Sequence, residues 1–166
     1  MKNILIFSIV CWVLLGCSSE EKPDCDYGYT NTKEALASCH KAAEQGEALA
    51  QIYLGNKYQH GKGEVTRDFA QAVQWYKKAA KQGWATAQYD LGQMYFRGEG
   101  VTQDYNQAFQ WFKKAAEQGD AKVQHILGTM YDQGKGVEED DKQAVHWYRK
   151  AAEQNHAPAQ SNLGVL

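Results

Sequence analysis

Residues 84–119, WATAQYDLGQMYFRGEGVTQDYNQAFQWFKKAAEQG, come back 36 positions further along the chain, and this repetition limits the fold more than any composition could. Leu91 falls over Leu127, Gly92 over Gly128, Tyr95 over Tyr131, Gly98 over Gly134, Trp111 over Trp147 and Ala115-Ala116 over Ala151-Ala152. Glu47 to Gly83 matches at the same places, with one additional residue, Glu64, in the loop after Gly63. A period of this length marks a stack of units, each burying its apolar face only against its neighbours. Function is then to be sought on the surface of the stack, where the repetition leaves positions free.

Each unit reads as two helices. In the first, Ala87, Leu91 and Tyr95 recur at i, i+4 and i+8, as do Ala50, Leu54 and Tyr58 before and Val123, Leu127 and Tyr131 after, one face of a 3.6-residue period. Gly92 sits inside this helix at a cost of about 1 kcal/mol against alanine. Its recurrence as Gly55, Gly128 and Gly164 implies a neighbouring helix too close for a Cβ. Gly98-x-Gly100 then supplies the left-handed stop. The second helix opens at Asp104 with Gln107 three residues on, a variant of the capping box repeated at Asp68/Gln71 and Asp140/Gln143. Its apolar face is Ala108, Trp111, Phe112, Ala115 and Ala116, and truncating Trp111, read as buried, is expected to cost about 3–5 kcal/mol. Short connections make sequential helices antiparallel neighbours. The expected fold is all-α: a right-handed α/α superhelical solenoid of antiparallel helix pairs. Its parts are a half repeat at 33–46, full repeats at 47–83, 84–119 and 120–155, and a closing half repeat at 156–166 that ends on the apolar Leu163, Val165 and Leu166.

The 166 residues are near neutral in charge, at −2, with 43% hydrophobic side chains. That suits one folded domain and gives no reason to expect nucleic acid, whose binders carry a basic excess on one face. Residues 1–16 read as a signal peptide: Lys2 is the positive start, and Ile4 to Leu15 is apolar but too short to span a bilayer, which takes about 20 residues. Leu14-Leu15-Gly16-Cys17 resembles the lipobox of bacterial lipoproteins, which implies a diacylglyceryl group on Cys17, a membrane anchor and a polar tether over 17–32. Ser18 after the cysteine favours the outer membrane, facing the periplasm, by the same resemblance; a secreted or periplasmic protein is the alternative. Cys25 and Cys39 are then a pair in an oxidising compartment, and a disulfide is expected between them. Ser38 and Cys39 occupy the places that Trp75 and Tyr76 hold in the next unit, as suits an edge helix held by a cross-link instead of large rings.

With A-x-A-Q-x-x-L-G-x-x-Y-x-x-G-x-G-V at the front of each unit and A-x-x-W-[YF]-x-K-A-A-x-Q-G at the back, residues 33–166 resemble the Sel-one-like repeat family, relatives of the tetratricopeptide repeat. The resemblance implies a superhelix that binds a protein or peptide and scaffolds assemblies, with envelope complexes, polysaccharide export and secretion among the settings of bacterial members. Some cysteine-rich relatives are described as binding or slowly hydrolysing β-lactams, which is the alternative activity.

The chemistry-bearing patterns give little else. Gly98-Glu99-Gly100 follows a helix and lacks the lysine and hydroxyl of a phosphate loop. Ser38/Lys41 and Ser19/Lys22 match S-x-x-K, but the S-D-N and K-T-G elements of a serine β-lactamase are absent. His40, His60, His125, His146 and His156 show no metal-ligand spacing, so no metal, cofactor or enzymatic activity is expected. Lys77-Lys78, Lys113-Lys114 and Arg149-Lys150 form a ladder on the second helix, where cations complement the helix dipole. The candidate site uses position. Tyr89, Gln93, Phe96 and the flanking Arg97 lie opposite the inward face of the first helix, toward a concave groove. Their counterparts are Ile52, Asn56 and Gln59, then His125, Thr129 and Asp132. These vary between units where structural positions repeat, and Tyr89 with Phe96 suits a hot spot for a peptide. Serine at both is expected to abolish capture and leave melting intact.

Overall fold

The structure, a computed structural model, describes Cys25 and residues 32–164. Within them the chain is all helical: α1 (Lys33–Glu44), α2 (Ala48–His60), α3 (Phe69–Lys81), α4 (Ala85–Arg97), α5 (Tyr105–Ala116), α6 (Ala121–Asp132), α7 (Asp141–Glu153) and α8 (Ala157–Leu163). Each helix packs on the one before and the one after it, the nearest-neighbour order expected of a repeat stack. The lipidation candidate Cys17, the Ser19/Lys22 pair, and Val165 and Leu166 lie outside the described residues.

The core follows the repeated positions. Ala87, Leu91 and Met94 of α4 and Ala108, Phe112, Ala115 and Ala116 of α5 are buried, as are most of their counterparts one unit away; Lys57 and Ala152 are half-buried. The intrahelical glycines are explained by a ring: a Cβ built on Gly92 would meet the Phe112 ring at 2.8 Å, and one on Gly128 would meet Tyr148 at 2.6 Å. The close neighbour is therefore a side chain of the unit's own second helix. Gly164, which has no such ring against it, meets only ordinary backbone contacts. The second glycine of the G-x-G in the second and third units has another task. At Gly100 a Cβ would strike the Phe69 carbonyl, and at Gly136 the Tyr105 carbonyl, both at the start of the preceding unit's second helix.

Three details differ from the sequence expectation. Trp111 is half-buried rather than buried, while Phe109, not counted on the apolar face, lies at 5% exposure. The outer face of the Trp111 ring is covered by Lys114 at 4.5 Å, just as Lys78 covers Trp75 and Lys150 covers Trp147. The ladder of cations thus packs on the ladder of tryptophans. Secondly, the capping box is half made. Asp68, Asp104 and Asp140 accept from the backbone N–H of Gln71, Gln107 and Gln143 at 3.0 Å. The aspartate N–H instead donates to the carbonyl of Tyr58, Tyr95 or Tyr131 on the preceding helix, which fixes the angle between the two helices of a unit. Thirdly, α6 ends at Asp132 with Gln133 as its C-cap, one residue before the left-handed Gly134, whereas α2 and α4 are capped by the left-handed Gly61 and Gly98 themselves.

The Cys25–Cys39 disulfide is present, with Cα atoms 4.3 Å apart. It closes the first edge of the stack, packed with Ala42, Ala43, Ala50, Leu54 and Trp75. At the other edge Leu163 of α8 packs on Tyr148 and Ala151.

A polar seam, which sequence reasoning missed, ties the units together. Gln51, Gln88 and Gln124 are buried, and each donates from Nε2 to a carbonyl eight residues back, Ala43, Ala80 or Ala116. Each accepts at Oε1 from the glutamine that ends its unit, Gln82, Gln118 or Gln154, at 2.8–2.9 Å. Those glutamines in turn donate to the carbonyls of Gly46, Gly83 and Gly119. This is why both A-x-A-Q and A-A-x-Q-G carry a glutamine.

Candidate functional site

The first helices of the second and third units, α4 and α6, lie side by side, and their outward positions face one another across a groove with two depressions. The larger, about 280 Å³, is lined by Gln93 and Phe96 of α4, Phe112 of α5, His125, Ile126, Thr129 and Met130 of α6, and Gln133 and Lys135 just beyond it. The smaller, about 190 Å³, lies at the other end and is lined by Ala85, Thr86 and Tyr89, with Ala115, Asp120, Lys122 and Val123 opposite. Between them Gln93 Nε2 donates to the Tyr89 hydroxyl at 3.2 Å.

Four of the ten predicted positions, Gln93, Phe96, His125 and Thr129, therefore line one pocket, and Tyr89 lines its neighbour. The others do not line either. Arg97 is exposed and sits 3.9 Å from Glu99. In the first unit Ile52 packs against the core, Asn56 donates to its own helix at Ile52, and Gln59 accepts from the Tyr76 hydroxyl at 2.7 Å. Asp132 is half-buried at the end of α6. The repeat pattern placed all ten on one face of their helices; only the packing distance between helices selects which become walls of a cavity.

Tyr89 and Phe96 are not free surface aromatics. Their ring centroids stand 5.9 and 6.4 Å from that of the buried Phe112, on which both pack, and Phe96 also meets Tyr105 edge-on at 5.1 Å. Serine at both would strip cover from Phe112, so the expectation of unchanged melting is corrected. Each ring is in turn topped by a lysine, Lys122 over Tyr89 at 4.9 Å and Lys135 over Phe96 at 5.6 Å.

The electrostatics of the groove come from groups that the sequence reading passed over. Burial pushes the Asp90 carboxyl up to about 6, against the pull of His60 and Lys122. A hydrogen bond with Tyr89 raises the Lys122 ammonium above its ordinary value. Burial lowers His125, and the charge of His156 adds to that; the two rings are 5.1 Å apart and Asn162 of α8 lies 3.3 Å from Nε2. Asp90 was findable: its counterparts are Tyr53 and Ile126, so an acid stands where neighbouring units carry a ring or an alkyl chain.

These helices, pairings and glycine contacts have a known pattern. The Sel1 repeat family model matches residues 48–84, 85–120 and 121–156, well over half of the chain. The chain belongs to the Sel1 repeat family. Among solved structures it is similar to c5321, a protective antigen of uropathogenic Escherichia coli, at 45% identity and a TM-score of 0.75. The match covers 80% of this chain and 28% of the antigen. It is similar also to a Sel1 repeat protein from Oxalobacter formigenes at 35% identity and a TM-score of 0.71, over 79% of this chain and 98% of that one. Cysteine rich protein B of Helicobacter pylori matches at 28% identity and a TM-score of 0.59, over 81% of this chain and 93% of that one. No curated protein matches.

Sel1 repeats generally serve as non-catalytic protein-interaction scaffolds. The Ser38 hydroxyl donates to the Ala35 carbonyl of its own helix at 2.8 Å. No three of His, Cys, Asp and Glu among the described residues converge to hold a metal ion. No helix among them is long and apolar enough to cross a membrane.

Proposed function

We propose that this Sel1 repeat protein is a non-catalytic interaction module of the bacterial cell envelope, held to the outer membrane by a lipid on Cys17 and engaging a protein or peptide in the groove between α4 and α6. The observation that carries the reading is the larger pocket. It has an apolar floor of Phe112, Ile126 and Met130 beneath a rim of amide, hydroxyl and imidazole groups, at positions that differ from unit to unit. Apolar pockets with a few convergent polar groups are where partners are recognised. The lipid reading rests on Leu14-Leu15-Gly16-Cys17 alone.

A photo-crosslinking amino acid at Gln93, with one at the exposed Gln110 of α5 as control, tests the groove in intact cells. A discrete adduct from Gln93 and none from Gln110 is expected; adducts from Gln110 alone would reject the groove. Labelling with an alkynyl palmitate analogue tests the anchor: incorporation should vanish in Cys17→Ser, and an unlabelled parent protein in the soluble periplasmic fraction would sink it. The β-lactam alternative is checked by nitrocefin turnover, where no hydrolysis above buffer is expected.

A further inference from the structure

We infer that the occupant of this groove is a short extended segment carrying one large apolar side chain with acidic residues on both sides of it, the apolar side chain seated over Phe112 and Met130. The inference rests on the groove reading above and adds the chemistry of the partner.

Length comes first. The two depressions run from Thr86 to Phe96 along α4, about 15 Å at 1.5 Å per helical residue. An extended chain at about 3.3 Å per residue covers that distance with roughly five residues. The larger depression, about 280 Å³, is floored by rings and alkyl groups and takes one bulky apolar side chain. Gln93, Thr129 and Gln133 on its rim offer amides and a hydroxyl to an extended backbone.

Charge decides the flanks. A lysine stands at each end, Lys122 at the smaller depression and Lys135 at the larger. No carboxylate lines the larger depression. The one that lines the smaller, Asp120, is engaged in capping α6, accepting from the Val123 N–H at 2.9 Å. Asp120, from within the smaller depression, and Asp90, which lines neither, both offset part of the Lys122 charge, so the uncompensated cation of the groove is Lys135. Both lysines are held in place over aromatic rings, so their ammonium groups are already oriented at the groove ends. A partner with basic flanks would set like charges against them, at a cost large enough to discriminate.

The test uses the folded protein labelled with nitrogen-15 and three capped pentapeptides: leucine between paired glutamates, serine between paired glutamates, and leucine between paired lysines. Shift perturbations from the first should cluster at Phe96, Ile126 and Lys135, and its affinity should exceed that of the other two by about tenfold. Lys135→Glu should abolish that preference while leaving the amide spectrum otherwise unchanged, and rising salt should weaken binding of the acidic peptide. Equal affinity for the lysine-flanked peptide, or perturbations centred away from α4 and α6, would overturn the inference. If the acidic peptide fails to bind while Gln93 still crosslinks a partner, the chemistry proposed here is wrong and the groove stands. If Gln93 crosslinks nothing while Gln110 does, the groove itself falls.

Discussion

Gln88 and Asp90 are separated by one residue on α4 and show how differently polar groups are handled in this stack. Gln88 is buried with both ends of its amide engaged, to the Ala80 carbonyl and to Gln118. Leucine of similar size at that position removes two hydrogen bonds, although the Ala80 carbonyl keeps the Gly83 N–H and the Gln118 amide keeps the Gly83 carbonyl. At about 0.5–1.5 kcal/mol for each bond lost, Gln88→Leu should lower stability by about 1–3 kcal/mol in urea melts. Asp90, by contrast, is disfavoured as a charge because burial outweighs His60 and Lys122. With its carboxyl raised to about 6 from 3.8, the folded state holds the proton more tightly than the unfolded chain. Its contribution is therefore most favourable at low pH, declines as pH rises through about 4 to 6, and is flat above. Asp90→Asn should melt higher than the parent at pH 7.5, with the gap closing by pH 4. A gap that widens on acidification would reverse the assigned sign.

Between the helices of a unit, the contact of Gly92 with Phe112 sets the approach. Alanine at Gly92 improves helix propensity by about 1 kcal/mol, yet its Cβ would sit 2.8 Å from the Phe112 ring, which is itself buried at 1% exposure. Overpacking of this kind costs about 1–3 kcal/mol, so Gly92→Ala should destabilise by up to about 2 kcal/mol. In a Phe112→Leu background the same change should become neutral or stabilising, which thermal melts of the four proteins would check. At the first edge the Cys25–Cys39 bridge does for α1 what a preceding unit would otherwise do. Its removal by Cys25→Ser should cost about 3 kcal/mol. The repeated glycines and the cysteine pair were legible in the chain. The half-made capping box was not, because whether the aspartate N–H bonds to a glutamine side chain or to the Tyr95 carbonyl depends on where the preceding helix lies.

Across the whole molecule, stability should grade along the stack, since each unit is held only by its neighbours. Amide exchange is expected to be slowest in α4 and α5, faster in α1, and fastest in α8, which is seven residues long and has support on one side. Reduction of the disulfide should bring α1 to the exchange rate of α8; an unchanged α1 would show that packing on Trp75 suffices. What the sequence determined by itself is the fold: a 36-residue period in Leu, Gly, Tyr, Trp and Ala leaves no other way to bury those residues than against copies of the same unit. It also determined which face of α4 and α6 is free to vary. The tertiary structure alone decided which of those varying residues make a site, because a pocket needs two helices at a set distance, and that distance follows from Gly92, Phe112 and the glutamine seam acting together. So Gln93, Phe96, His125 and Thr129 became walls, Tyr89 and Phe96 turned out to roof Phe112, and Lys122 and Lys135, unremarked in the linear chain, came to stand at the groove's two ends.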